Sequence, residues 1–395
     1  MLNYEMLESA IEVSGFAISC FALILSALQI RHSPVYTLLA VLFLALVISD
    51  LFDMTSFMLI DPAPEFRTRV LMISYASSFF IPPALLVYVR ALTGEPLSSG
   101  RRETLLHLTL PGLSVLVAVG ILFLSVESQN DMLWGGTNGS GSGLSSVIGL
   151  ALIVLVFAFY LQCLTYVVLT MMTQIKHRER LKDLFASTEP HEIRWITGMA
   201  VILGSFAVLN LIALVSDPLA SRPQLLPLID RTLELLIVLT LGIWGLRQSP
   251  GIAAGDPVAE EADHASHVKY EKSALSPDRA ARISDKLKAA MATEHLFRDP
   301  NLSLMILSKH IGVSTNYVSQ SLNEHMGVSF FDFVNTCRVE EAKSLILAGE
   351  QPVTIIAYEV GFNSRSSFYT AFKKNTGMTP KEFKTAADLV SAETV

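Results

Sequence analysis

The stretch Ile356-Ala-Tyr-Glu-Val-Gly-Phe-Asn-Ser-Arg-Ser-Ser-Phe-Tyr-Thr-Ala-Phe-Lys-Lys-Asn-Thr-Gly377 decides the fold of the C-terminal part, because an earlier stretch echoes it. That stretch is Leu307-Ser-Lys-His-Ile-Gly-Val-Ser-Thr-Asn-Tyr-Val-Ser-Gln-Ser-Leu-Asn-Glu-His-Met-Gly327. Leu307, Ile311, Gly312, Val313, Val318, Leu322 and Gly327 correspond to Ile356, Val360, Gly361, Phe362, Phe368, Phe372 and Gly377, at an offset of 49 residues before the turn and 50 after it. In each copy an apolar-periodic helix stops at a glycine, and a second helix opens at a serine, Ser314 or Ser364. A tight turn between two closely packed helices needs positive φ, which glycine supplies without a Cβ penalty. Val318, Leu322, Phe368 and Phe372 recur at helical spacing and are expected in the core. The polar positions between them are expected to face outward. Two helix-turn-helix units follow, over about 303–325 and 353–375.

Around this pair, residues 276–386 read as entirely helical. Ser276-Pro-Asp-Arg279 starts a helix with an N-cap serine and a proline at the first helical position. Phe330 to Ala348 forms a connecting helix stopped by Gly349. The stretch Gly361–Phe383 resembles the signature of AraC-family transcription regulators, and Arg338-Val-Glu-Glu-Ala-Lys343 is similar to that family's connecting helix. Lys269-Tyr-Glu-Lys-Ser-Ala-Leu-Ser276 resembles the membrane-exit segment of AraC-type regulators that carry multi-span sensor regions. The resemblance implies a domain that places two helix-turn-helix units in successive major grooves of double-stranded DNA. It also implies promoter DNA and the transcription machinery as partners, with a homodimer as a further expectation.

The two second helices differ in chemistry. Over 314–325 the exposed candidates are Ser314, Thr315, Asn316, Tyr317, Ser319, Gln320 and Asn323, with no Lys or Arg. Amides pair with adenine and hydroxyls read either base type, so this half is expected to read base edges without its own phosphate attraction. In the other half the candidates are Ser364, Arg365, Ser366, Ser367, Tyr369, Lys373 and Lys374. Arg365, in the first turn, is placed for guanine, and Lys373 and Lys374, two turns later, for the backbone. Residues 276–386 hold 13 Lys and Arg against 11 Asp and Glu, so binding that rests on charge alone is expected to be weak and salt-sensitive.

Upstream, the composition changes. From Gln248 to about Leu275 the chain is rich in Pro, Gly, Ala and acid, and 249–275 reads as a flexible linker. Its His264 and His267 have no further ligand cluster beside them and read as solvated histidines. The whole chain has 395 residues, of which 51% are hydrophobic and only 16% charged. A mean hydropathy of +0.47 excludes a purely soluble globular enzyme. The apolar residues concentrate in 1–248, in stretches near 11–30, 35–58, 68–90, 107–126, 145–170, 195–216 and 226–246, each of about bilayer length. The fold expected is therefore all-α, a seven-helix transmembrane bundle followed by a cytoplasmic, all-helical domain with two helix-turn-helix units.

Basic residues orient the bundle. Arg31, Arg90, Arg101, Arg102, Lys176, Arg178, Arg180, Lys182, Arg194 and Arg247 fall on one side, against Arg67, Arg69 and Arg222 on the other. That places the N-terminus outside and the C-terminus in the cytoplasm, as a multi-pass protein of the bacterial cytoplasmic membrane. The first ten residues carry Glu5 and Glu8 and no basic residue, so no cleavable signal peptide is expected. Gly135 to Gly143 reads as an outward-facing tether, and Asn138 begins a chance-level sequon within it. Cys20, Cys163 and Cys337 are too few and scattered for a disulfide framework or zinc site.

Ionisable residues inside spans are costly. Asp50 and Asp53 share a face of the second span, and Asp230, Arg231 and Glu234 open the seventh, all in the outer half with Tyr75 and Asn210. Two readings stand. One is an outward-open pocket or proton-sensitive cluster that perceives a signal. The other is an interhelical ion pair between Arg231 and one aspartate that holds the bundle. Pro82-Pro83 is expected to kink the third span.

No catalytic constellation, phosphate loop, metal motif or cofactor motif is found in the sequence. The function expected is a one-component membrane regulator of transcription. The alternatives are a transporter or membrane enzyme with a regulatory DNA-binding tail, and an interaction protein whose helical domain docks another protein.

Overall fold

The computed structural model describes residues 4–59, 62–95, 100–134, 143–216, 225–247 and 275–393. The linker 249–274 with His264 and His267, the tether 135–142 with Asn138, and Arg222 lie outside the described residues. The chain forms two compact units. One comprises Met1–Gln174 and Ile193–Ala254, the other Ile175–Glu192 and Gly255–Val395.

The first unit is built from α1 (Tyr4–Gln29), α2 (Val35–Ser49), α3 (Leu51–Met58), α4 (Pro64–Ser78) and α5 (Ile81–Leu92). These are followed by α6 (Arg101–Leu122), α7 (Val126–Trp134), α8 (Gly143–Leu184), α9 (Arg194–Ser216) and α10 (Leu225–Thr240), which runs into π-helical turns at Leu241–Gly245. Leu39, Leu42, Phe43, Tyr88, Ile196, Met199 and Leu241 form its main core. Outward, Ile24, Leu116, Leu150, Ile153, Val201 and Ile212 are exposed. An aqueous globular domain does not present apolar surface on that scale.

The expected spans are modified in detail. Among the described residues five helices are long and apolar enough to cross a membrane, α4 and α5 counting as one, or six when α2 and α3, bent by 43° to each other, also count as one span. The break falls at Asp50. The seventh expected span falls short because α10 has 16 residues and carries Asp230, Arg231 and Glu234. The third expected span is interrupted at Phe79 and Phe80, so Pro82 and Pro83 occupy the first turn of α5, where a missing N–H costs nothing. The expected loop 171–194 is helical to Leu184, since its Gln, Lys, Arg, Glu and Leu residues favour helix.

The second unit contains α8 from Ile175 onward and a 3₁₀ turn at Glu189–His191. It continues with α11 (Pro277–Glu294), α12 (Leu304–Ile311) and α13 (Thr315–Gln320), which turns π-helical over Ser321–Met326. Then come α14 (Phe330–Ala348), α15 (Val353–Glu359), α16 (Arg365–Thr376) and α17 (Pro380–Glu393). Among the described residues the only β-type pairing is the isolated bridge between Phe185 and Ser303. The fold is all-helical.

Two cores sit in this unit, and α14 serves both. Its first half contributes Phe330, Phe333 and Val334 to a core with Leu287, Leu307, Val318 and Leu322. Its second half contributes Val339, Ala342 and Ile346 to a core with Ile356, Val360, Phe368 and Phe372. Val318, Leu322, Phe368 and Phe372 are fully buried, as their spacing predicts. One helix therefore fixes the two halves against each other.

Ala186 belongs to the first of these cores and is 1% exposed. Its N–H donates to the Leu302 carbonyl at 3.1 Å. Arg338, fully buried in α14, donates from Nε to the Phe297 carbonyl (2.7 Å), from Nη2 to the Asp299 carbonyl (2.9 Å), and from Nη1 to the Ala186 carbonyl (3.3 Å) and Ser187 Oγ (3.2 Å). Burial pulls its pKa down to about 10, so it stays charged at neutral pH, solvated by carbonyl dipoles.

Candidate nucleic-acid interface

Each half presents a short helix pair with a glycine turn. In the first, Ser303 Oγ accepts from the Ile306 N–H (3.3 Å) and caps α12, and Gly312 ends it at φ 65°. In the second, α15 gives way to Gly361 at φ 96°. A Cβ at Gly361 would lie 2.5 Å from the Phe297 carbonyl oxygen and 2.8 Å from that of Arg298, so close approach as well as φ excludes a side chain there.

On α13, Ser314 is exposed and Thr315, Asn316, Tyr317, Ser319 and Gln320 are half-buried, with Asn323 exposed in the π-helical turns. Gln320 Nε2 donates to Glu324 Oε2 (2.8 Å) and Asn323 Nδ2 to Ser319 Oγ (3.4 Å). Tyr317 packs on the first core with the Arg279 guanidinium 4.2 Å over its ring. The change to π-helical winding after Gln320 separates Asn323 from the helix that a uniform 314–325 reading assigns it to.

On α16, Ser364 is the N-cap and accepts from the Ser367 N–H (3.2 Å). Its hydroxyl also meets those of Ser367 (2.6 Å) and Ser366 (3.1 Å). Arg365 stands exposed in the first turn. Tyr369 is half-buried against Phe368, edge-on at 5.8 Å. Lys373 and Lys374 are exposed in the last turn, and Lys374 Nζ pairs with Asp332 Oδ1 of α14 (2.6 Å). Ser364, Ser367 and Tyr369 are thus engaged in building the helix, whereas Arg365 and Lys373 project from it.

The charged residues of the first unit come together. Arg231 pairs with Glu12 (2.8 Å), Asp53 (3.1 Å) and Glu234 (3.1 Å). Asn210 Nδ2 donates to Asp230 Oδ1 (3.0 Å), and Tyr160 donates to Asn210 Oδ1 (3.3 Å). Asp50 accepts from Ser49 Oγ (3.1 Å). Glu12, Asp50, Asp53, Arg231 and Glu234 line a cavity of about 280 Å³ with Phe16, Phe57, Phe159 and Tyr160. Sequence reading missed Glu12; a carboxylate at the start of the first apolar stretch was the available signal. Tyr75 packs edge-on against Phe79, 5.2 Å away, and does not line this cavity. Among the described residues no group of His, Cys, Asp or Glu is placed to hold a metal ion.

Comparison with known proteins bears on the second unit. A family described as "Helix-turn-helix domain" matches residues 307–386. An uncharacterized HTH-type transcriptional regulator of Staphylococcus aureus (strain COL) is 34% identical over 113 residues, 29% of this chain and 14% of the relative. Another from Pseudoalteromonas carrageenovora is 38% identical over 88 residues, 22% of this chain and 51% of the relative. Among solved structures, the C-terminal domain of AraT, a response regulator from Geobacillus stearothermophilus, is 30% identical, with 29% of this chain and 88% of that one covered and a TM-score of 0.24. The chain spans about one seventh of the length of the staphylococcal relatives it matches. Residues 307–386 form a DNA-binding helix-turn-helix domain of the AraC type, of the kind found in transcription regulators.

Proposed function

We propose that the protein is a one-component transcription regulator held in the bacterial cytoplasmic membrane by seven spans. Its N-terminus lies outside, and its AraC-type domain binds promoter DNA in the cytoplasm as a homodimer. The observation that carries the reading is the joining of two helix-turn-helix units, locked by α14, to a unit whose helices expose apolar side chains on their outer faces. The broken α2–α3 pair and the charged α10 are assigned as second and seventh spans, since Arg231 pairs with Asp53 of α3 and Glu234 of α10, charges that would otherwise stand alone. The cavity lined by Asp50, Asp53, Arg231 and Glu234 is the candidate signal site, with Asp230 beside it through Asn210. The ion pairs also support the purely structural reading of these charges.

Base reading is assigned to Arg365 and, in the other half, to Asn316 and Gln320; Lys373 is assigned to phosphate. The test is titration of the full chain in nanodiscs against duplexes selected from a random pool and a scrambled control. Arg365→Ala should cost about 1–3 kcal/mol on the selected site and relax one base position. Lys373→Ala should weaken both duplexes alike. Equal losses for Arg365→Ala on both would make residue 365 a phosphate contact, and no duplex binding by the wild type would sink the regulator reading.

A further inference from the structure

The α13 helix carries no Lys or Arg, yet phosphate contacts normally set the register of a reading helix on the duplex. The structure places cationic groups beside it from another element. Arg279, Arg282 and Lys286 are spaced i, i+3 and i+7 on α11, along about 10 Å of one helix face. With Gly312, Val313, Ser314 and Tyr317 they line an open cleft in which Asp278 is the single acid. Arg279 lies over the Tyr317 ring and Lys286 Nζ donates to the Ile311 carbonyl (3.4 Å), so both are held against the turn that opens α13. Arg282 is exposed and, among the described residues, makes no ion pair.

We infer that this cleft is the phosphate site of the first helix-turn-helix unit. Backbone phosphates flanking the bases that meet Ser314 and Asn316 sit against Arg282 and Lys286. Arg279 clamps Tyr317 and adds its charge at the cleft's edge. The cleft's three cations outweigh its one acid, and its wall is shared with α13, so a strand reaching that helix passes directly beside them. The ligand class is the phosphodiester of duplex DNA. The inference rests on the DNA-binding reading above.

The experiment uses the full chain in nanodiscs and a non-specific 30-bp duplex, with affinity measured at several salt concentrations. Arg282→Ala and Lys286→Ala should each reduce the salt slope by about one and the double variant by about two. Arg282→Lys should retain the slope, because the charge is kept. Millimolar inorganic phosphate should not compete beyond its ionic strength; specific competition would redirect the site to a free anion and overturn the inference. Slopes unchanged in variants that still bind would overturn it while leaving the regulator reading intact. A wild-type chain that binds no duplex would overturn both. Unchanged thermal transitions of the variants by circular dichroism confirm that folding is not the cause.

Discussion

At the scale of single residues, Gly361 and Arg338 carry more than their positions suggest. Gly361→Ala must place a Cβ within 2.5 Å of a backbone oxygen while holding φ at 96°. Left-handed backbone alone costs about 1–2 kcal/mol, and the clash adds to it. The second unit should lose at least about 2 kcal/mol, read as a lowered urea midpoint by tryptic susceptibility of the full chain. Arg338→Met keeps bulk but leaves the carbonyls of Phe297 and Ala186 without this donor, whereas that of Asp299 keeps the Leu302 N–H (3.2 Å). Each buried unsatisfied acceptor costs about 1–3 kcal/mol, so a loss of about 2 kcal/mol or more is expected by the same measurement. Lysine should not rescue it, since a point ammonium cannot span acceptors that the planar fork reaches together. An unchanged midpoint in Arg338→Met would contradict the role assigned to it.

At the scale of elements, α17 shows how one helix start responds to pH. The Thr379 N–H donates to Glu382 Oε2 (2.7 Å) and the Glu382 N–H donates to Thr379 Oγ1 (3.3 Å), a reciprocal cap. The hydrogen bonds that the Thr379 N–H and hydroxyl donate to the Glu382 carboxylate hold its pKa below the ordinary value. A carboxylate whose folded pKa is depressed stabilises the fold fully above the unfolded value, and that contribution disappears as pH falls through the folded value. Amide exchange in the first turn of α17 should therefore accelerate as pH drops below the ordinary carboxylate range, beyond the intrinsic change in rate. Glu382→Gln should abolish that excess. The α2–α3 break follows similar local logic. Asp50 closes α2 and starts α3, and the Ser74 hydroxyl crosses from α4 to donate to the Ile48 carbonyl (3.0 Å) and accept from the Phe52 N–H (3.0 Å). Ladder groups freed at a bend are thereby satisfied by a neighbouring helix.

At the scale of the whole molecule, two measurements test the organisation. A periplasm-dependent reporter inserted within 135–143 should be active, and one inserted at Lys182 silent; the reverse would place the DNA-binding domain away from DNA. Ala186→Asp should weaken the DNA-binding unit and its DNA affinity together, because it buries a charge in the core that Leu287, Val318 and Phe330 share. No change in either would show that residues 175–192 are not part of that unit's fold.

The helix-turn-helix pair was legible in the sequence because its causes are local. Glycine at 312 and 361, capping serines and apolar residues at helical spacing specify their elements through neighbours a turn away. The apolar character of residues 1–248 was legible for the same reason, since it is a property of composition. What pairs with what was not. An ion pair of Arg231 with one aspartate was among the sequence readings, but the arrival of Glu12 beside that pair, the passage of residues 185–187 under Arg338, and the row of cations from α11 beside α13 join residues far apart in the chain. Periodicity reports which face of a helix is apolar but not which neighbour covers it. The sequence by itself therefore determined the elements and the kind of DNA-binding domain. Only the tertiary structure decided which charges meet, because a buried or crowded charge takes whatever partner the packing of distant helices brings within hydrogen-bond reach.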